Sequence, residues 1–278
     1  MQRGSDPIPS TLSGNALLTP AKQKPPQIFH QNSALREHYS DLRQGDIFIG
    51  RIRVKHTEEY LLLDLVERGV ILFPSALSQQ ICRSKTAQVL LFKECMLPHT
   101  LAIHDQHEML EAVSFYHQHA INRVVTKLDR KDGGLGVHLW PTIEDAYNQA
   151  SLGTLPYPFV LQPYITKCRD IRVIMLDNYE EAYQRENPYN FRNNLHCGGS
   201  STPCTLSKEQ KSICKRVMER GKFPYAHIDL LVTESGQTYL TEINLRGGIK
   251  GAIISPEEYR ERVEAIHANF LNRLAPEF

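Results

Sequence analysis

The segment HIDLLVTESGQTYLTEIN, residues 227–244, puts strand-like runs on both sides of Glu234-Ser235-Gly236-Gln237. Ser-Gly is a turn signal. With Ser235 and Gly236 as the central turn pair, Asp229 falls directly opposite Glu242, the two Cβ atoms about 5 Å apart. Asn244, two residues further along the strand, points to the same face. Facing carboxylates repel, so such a hairpin needs a compensating cation. Two carboxylates and an amide oxygen are hard donors that suit Mg²⁺, an ion usually shared with the phosphates of a nucleotide. The bland alternative is an exposed hairpin edge with scattered acids. A three-residue loop would also shift the facing pair.

Other residues could serve the same chemistry. Lys127 ends the run Val124-Val125-Thr126 and is followed by LDRKDGGLGV, in which Gly133, Gly134 and Gly136 let backbone N–H groups approach a phosphate. No G-x-x-x-x-G-K-[ST] pattern occurs, and no long helix follows the loop, which excludes a Walker A loop and a Rossmann fingerprint. A plain mobile turn is the competing reading. Lys85 opens a helix, where a lysine is mildly unfavourable against the dipole and is ordinarily just solvated. Residues 183–199 carry Arg185, Arg192, Asn193, Asn194 and His196; arginine recognises phosphate or carboxylate through its planar fork. His196-Cys197 has no companions at metal-ligand spacing.

These residues need elements to position them. The spacing predicts strands at 46–54, 70–73, 121–128, 157–165 and 170–176 and a hairpin over 226–244. It predicts helices at 57–68, 84–96 and 106–118, the last capped by Asp105 with Glu108. Thr142 with Asp145 caps a short helix. Ser207 with Gln210 opens another that Gly221 ends, and Ser255-Pro256 starts the last. Strands that follow one another through hairpins point to mixed α/β or α+β lobes with much antiparallel sheet and no doubly wound parallel sheet. Residues 1–35, rich in Pro, Ser, Gln and Lys, bury little and are expected to be a flexible tail.

Composition sets outer bounds. A chain of 278 residues suggests about two lobes. A formal net charge of +1 gives no electrostatic reason to expect nucleic acid or an anionic membrane as a partner. No run approaches the ~18 apolar residues of a membrane span, and the first residues lack the apolar core of a signal peptide. The six cysteines form no C-x-x-C pair and are expected to be reduced thiols of a cytoplasmic protein.

In their order, SKTAQVLL (84–91), VVTKLDRKDGGLGV (124–137), LQPYI (161–165), DIRVIML (170–176), NFRNNLHCGG (190–199) and HIDLL…YLTEINLRGGIKG (227–251) resemble the ATP-grasp superfamily. They are most similar to its RimK-like glutamate ligase branch. The resemblance runs from about Asp46 to Phe278. It implies two α+β lobes that clasp ATP, with a shortened N-terminal lobe (36–83), a central lid lobe (98–165) and a metal-binding lobe (166–278) in an ATP-grasp domain of 84–278.

The resemblance also implies roles. Lys85 and Lys127 contact ATP, and the 131–137 loop closes over its phosphates. Gln162, Pro163, Tyr164 and Ile165 form the adenine hinge, with Tyr164 donating its N–H, and Asp170 faces the ribose. Arg192 and Asn194 meet the terminal phosphate and acyl group. Asp229, Glu242 and Asn244 hold two Mg²⁺ ions, for which Mn²⁺ can substitute. Beyond the resemblance, Arg172 and Arg246 are candidates for orienting the substrate carboxylate. The implied activity is an ADP-forming carboxylate–amine ligation through an acyl-phosphate, adding glutamate or another amino acid to a peptide, protein or small carboxylate. Three departures stand out. Pro163 replaces an acidic hinge residue, Arg246 replaces a small residue, and the N-terminal lobe is short. Rival readings are a nucleotide-binding homologue without ligase activity, a peptide-maturing member of the same superfamily, and a pure interaction protein. A homo-oligomer stays open.

Overall fold

The computed structural model describes residues 25–193, 195 and 198–274. Three sheets follow one another along the chain. The first is parallel, β1 (Ile28–Phe29), β2 (Ile47–Ile49) and β3 (Ile71–Phe73) side by side. Helices α1 (Asn32–Glu37), α2 (Tyr60–Glu67) and α3 (Ala76–Ile81) accompany it. Its core gathers Phe48, Leu62, Leu65 and Val70. The expected tail therefore ends early: Ile28–Phe29 pairs with β2, and α1 buries Leu35. Residues 1–24 of that expectation lie outside the described residues.

The second sheet is antiparallel, in the order β4 (Leu101–Ile103), β7 (Phe159–Pro163), β5 (Val124–Leu128), β6 (Val137–Trp140). Helices α5 (Gln106–Gln118) and α6 (Ile143–Ser151) pack on it. Met109, Ala112 and Tyr116 recur at helical spacing in α5 and are buried. The Asp105 carboxylate accepts the Glu108 N–H at 2.9 Å, a cap whose loss costs about 1 kcal/mol. Thr142 and Asp145 form the full capping box of α6.

The third sheet carries the largest core, in the order β10 (Ser200–Cys204), β9 (Tyr179–Glu186), β8 (Cys168–Leu176), β11 (Tyr225–Thr233), β12 (Thr238–Asn244). Helices α7 (Lys208–Gly221) and α8 (Pro256–Leu274) follow it in the chain. β9 and β10 escape the sequence reading because their residues are mostly polar and lack a clean apolar alternation. Helix α7 ends at Gly221 as expected, but Gly221 is not its left-handed residue. Lys222 takes that conformation, with φ +57°, while Gly221 leaves room for the Phe223 ring pressed against it.

Helix α4 (Lys85–Leu91) lies between the second and third sheets, touching β4, β7 and β12. It is shorter than the expected 84–96 because Lys93–Cys95 turn into a 3₁₀ segment. Its residue Gln88, 2% exposed, acts as a missing strand. The Gln88 amide donates to the Ile243 carbonyl at 3.0 Å and accepts the Ile243 N–H at 2.9 Å, satisfying the outer edge of β12.

Candidate active site

The hairpin of β11 and β12 keeps its expected pairing for an unexpected reason. The turn is a three-residue loop, closed by the Thr233 N–H on the Gln237 carbonyl at 2.9 Å, with Gly236 at φ +88°. That loop shifts the register by one, so Leu230 faces Leu240. A β-bulge at Thr241 then shifts it back, and Asp229 faces Glu242. The Thr241 hydroxyl steadies the bulge by donating to the Asp229 carbonyl at 3.0 Å. Ile243, fixed by Gln88, lies between Glu242 and Asn244.

The two carboxylates are compensated by protein cations. Asp229 pairs with Arg172 across the β8–β11 ladder. Arg172 Nε and Nη2 each meet one Asp229 oxygen at 2.8 Å, the bidentate fork of a strong charge-assisted pair. Arg185 Nη2 lies 3.1 Å from Asp229 Oδ2 and 2.6 Å from Asp170 Oδ1. Lys85 Nζ stands 3.3 Å from Glu242 Oε1. Burial alone would raise the Asp229 carboxyl; Arg172 first and Arg185 second overcome it and hold the group well below the usual range. Asp170 goes the other way, raised because burial and the nearby Asp229 charge outweigh Arg185. Burial lowers Lys127, with Lys85 adding to it.

These groups line one cavity of about 790 Å³. Every predicted site residue among the described ones faces it except Gly136: Lys85, Lys127, Gly133, Gly134, Gln162, Pro163, Tyr164, Asp170, Arg172, Arg192, Asp229, Glu242 and Asn244. Gly136 has no φ in the left-handed region, and a Cβ there would meet Leu128 and Lys131 at 2.9 and 2.8 Å. Its job is close packing inside the loop. Gly133 and Gly134, at φ +68° and +78°, make the turn over the cavity. Asn194, His196 and Cys197 lie outside the described residues. Eleven lysines and arginines face five aspartates and glutamates in the lining, against a net charge of +1 for the whole chain. Such a cavity favours a polyanion.

The hinge needs one correction. The Tyr164 N–H is not free for a ligand; it donates to the Arg123 carbonyl at 3.0 Å and continues the β5–β7 ladder. Strand alternation turns the Pro163 carbonyl and the Ile165 N–H to the opposite edge, which β4 leaves open beyond Leu161. Pro163 and Ile165 both line the cavity. The Tyr164 ring is packed under Arg123, 4.5 Å from its centroid.

Arg192 reaches the same cavity by stacking 4.3 Å over Phe191 and donating from Nη2 to the Val137 carbonyl of β6; its Nε is buried without a partner. Residues the sequence reading left out of the site also belong here. Arg185 and Tyr183 enter from β9 through their register with Asp170 and Arg172. Gln88 could have been found from its position three residues after Lys85, on the same helical face.

Comparison with known proteins agrees with this geometry. A family model described as the RimK-like ATP-grasp domain matches residues 82–255, so the chain belongs to the RimK-like ATP-grasp family. A "Probable alpha-L-glutamate ligase 2" of Shewanella frigidimarina (strain NCIMB 400) is 34% identical over 134 residues, covering 46% of this chain and 44% of that protein. A "Probable alpha-L-glutamate ligase" of Xylella fastidiosa (strain M12) is 31% identical over 137 residues with the same coverage. The match thus spans less than half the length of these relatives. Among solved structures, D-cycloserine synthetase DcsG superposes with a TM-score of 0.59 at 13% identity, covering 80% of this chain and 83% of that one. The ATP-grasp ligase PsnB, solved with a precursor variant, Mg and ADP, gives 0.54 at 17% identity, covering 75% and 66%. The fold is ATP-grasp, of the α+β class. No helix among the described residues is long and apolar enough to cross a membrane.

Proposed function

We propose that this chain is an ATP-dependent carboxylate–amine ligase that releases ADP. The observation that carries the reading is the single cavity in which Lys85, Lys127, the Gly133–Gly134 turn and Arg192 surround the facing pair Asp229 and Glu242, with Asn244 beside them. The donor set fits magnesium: two carboxylates and an amide oxygen, all hard ligands. Each ionised carboxylate has about four lone-pair sites, so Asp229 can keep Arg172 and still offer an oxygen. Bound there, Mg²⁺ would neutralise charge on the nucleotide phosphates.

The protein's own groups have separable tasks. Pro163 C=O and Ile165 N–H read the adenine edge. Lys85 and Lys127 face the phosphates, and the 131–137 turn excludes water from them. Arg172 holds Asp229 in place, and its Nη1 donates to the Gly248 carbonyl at 3.3 Å. A substrate carboxylate oxygen attacks the terminal phosphorus, the bond to ADP breaks, and an acyl-phosphate results. An amine then attacks the acyl carbon, phosphate leaves, and the ammonium gives up a proton. Positioning and electrostatic neutralisation carry the first step.

Two arginines of the lining support an anionic substrate. Arg51 and Arg246 line the cavity, and neither guanidinium has a hydrogen bond or ion pair among the described residues. Arg83 beside them keeps a buried Nη1 without a partner. An acidic amino acid, glutamate included, suits these arginines. The test is an ADP-release assay with Mg²⁺ and paired acids and amines. ADP that appears only when both partners are present is the expected result. Tight MgADP binding with no turnover for any pair would favour a nucleotide-binding homologue without ligase activity.

A further inference from the structure

The lid loop over the cavity starts immediately after β5, and its first three residues are moored to three different parts of the molecule. Asp129 Oδ1 accepts the Ser84 hydroxyl and the Thr86 N–H, both at 3.1 Å, at the start of α4. The Lys131 carbonyl accepts Lys85 Nζ at 2.6 Å. Between them, Arg130 reaches into the parallel-sheet lobe. Its Nη1 meets Glu59 Oε1 and its Nη2 meets Glu59 Oε2 at 2.8 Å. The Nε lies 3.3 Å from Asp129 Oδ2.

Three features mark this pair as more than a surface ion pair. It is bidentate, so it fixes direction as well as distance. It is shielded, with 27% of the Arg130 side chain and 14% of the Glu59 side chain exposed. The residue it holds is also conformationally costly: Arg130 sits at φ +59°, a region that L side chains rarely adopt. Glu59 is itself aimed by Gln80, whose amide donates to Oε2 at 2.7 Å. Both residues line the cavity.

We infer that Glu59 is a positioning residue for the nucleotide: through Arg130 it locks the base of the lid, so that Gly133 and Gly134 stand over the phosphates. The inference rests on the nucleotide reading of the cavity. It gives the parallel-sheet lobe a task in the nucleotide site. The charge of Arg130 is committed to Glu59 and is not part of the phosphate cradle.

The experiment uses the full chain with two readouts. Trypsin cleavage after Lys131, a bond that every variant keeps, is located by mass spectrometry, measured without nucleotide and normalised to the same cleavage in the urea-unfolded variant; it reads the lock alone. Calorimetry with MgADP reads the nucleotide site. Glu59→Gln should speed cleavage and weaken MgADP about tenfold, while the charge-swapped pair Glu59→Arg with Arg130→Glu recovers most of both. The inference is overturned by unchanged cleavage in Glu59→Gln, by weakened MgADP with an unchanged cleavage rate, or by a folded swap that recovers neither. A wild-type chain that resists trypsin yet fails to bind MgADP would refute the nucleotide reading and, with it, the positioning role, leaving only the lock.

Discussion

The two ends of the cavity are built from different materials. At the hairpin end, charged side chains meet: Asp229 with Arg172 and Arg185, Glu242 with Lys85. At the hinge end, the proposed ligand contacts are a carbonyl and an N–H of the main chain, next to the β5–β7 ladder. A side-chain site is rewritten by one substitution. A backbone site is not, because nearly every residue supplies the same C=O and N–H. Substitutions should therefore have large effects at the hairpin end and small ones at the hinge.

The largest effect is expected at Glu242. Glu242→Ala removes a carboxylate that faces both Lys85 and Asp229, and turnover should fall by about 10³-fold or more. The backbone pairing of β12 does not depend on that side chain, so the melting temperature should move little. Normal ADP release from a folded Glu242→Ala variant would end the metal assignment. Arg172→Gln comes next. It leaves Asp229 with Arg185 alone, and breaking a buried pair costs about 3–5 kcal/mol. The pH dependence has a definite sign. The depressed Asp229 carboxyl contributes stability that is present above the ordinary carboxylate range and lost only as pH falls well below it. In Arg172→Gln the carboxyl rises, so the acid limb of stability should move to higher pH. Urea melts as a function of pH for the two proteins check this.

The same contrast explains what could be read in advance. Side-chain chemistry is printed in a sequence, and so Asp229, Glu242, Asn244 and the two lysines were legible. Even there the facing pair was correct through two cancelling irregularities, a longer loop and the Thr241 bulge, neither of which periodicity reveals. Main-chain chemistry is not printed. Which of two consecutive N–H groups is free for a ligand depends on strand register, and the Tyr164 N–H is taken by the Arg123 carbonyl. Arg185 was visible as an arginine, but its place beside Asp170 is set by the β8–β9 register. The polar strands β9 and β10 and the Glu59–Arg130 pair, 71 residues apart, needed the fold.

An intermediate effect is expected where the two kinds of construction touch. Gly247 follows Asn244 and passes over the His227 ring; a Cβ there would lie 2.8 Å from Nδ1 and 2.9 Å from Cγ. The ring has no easy retreat, since its Nε2 pairs with the Tyr259 hydroxyl at 3.0 Å and the residue is 1% exposed. Burial keeps this imidazole neutral, down to about 4. Gly247→Ala should cost about 1–3 kcal/mol through overpacking, read as a shift in urea midpoint, and should disturb the neighbouring Arg246.

The smallest effects are expected at the hinge, and there a pair of opposite substitutions decides which backbone atoms matter. Ile165→Pro deletes the N–H assigned to the adenine edge. Losing one hydrogen bond of about 1 kcal/mol should weaken MgADP by about fivefold to tenfold. Pro163→Ala restores an N–H at a residue that serves through its carbonyl, and leaves that carbonyl in place. Its effect should stay within about threefold, since no partner is lost and only a little chain freedom is gained. Calorimetry on both variants gives the answer. If Pro163→Ala weakened MgADP more than Ile165→Pro did, the open edge of β7 would not be the adenine edge. The division between a side-chain end and a backbone end would then fail at Pro163.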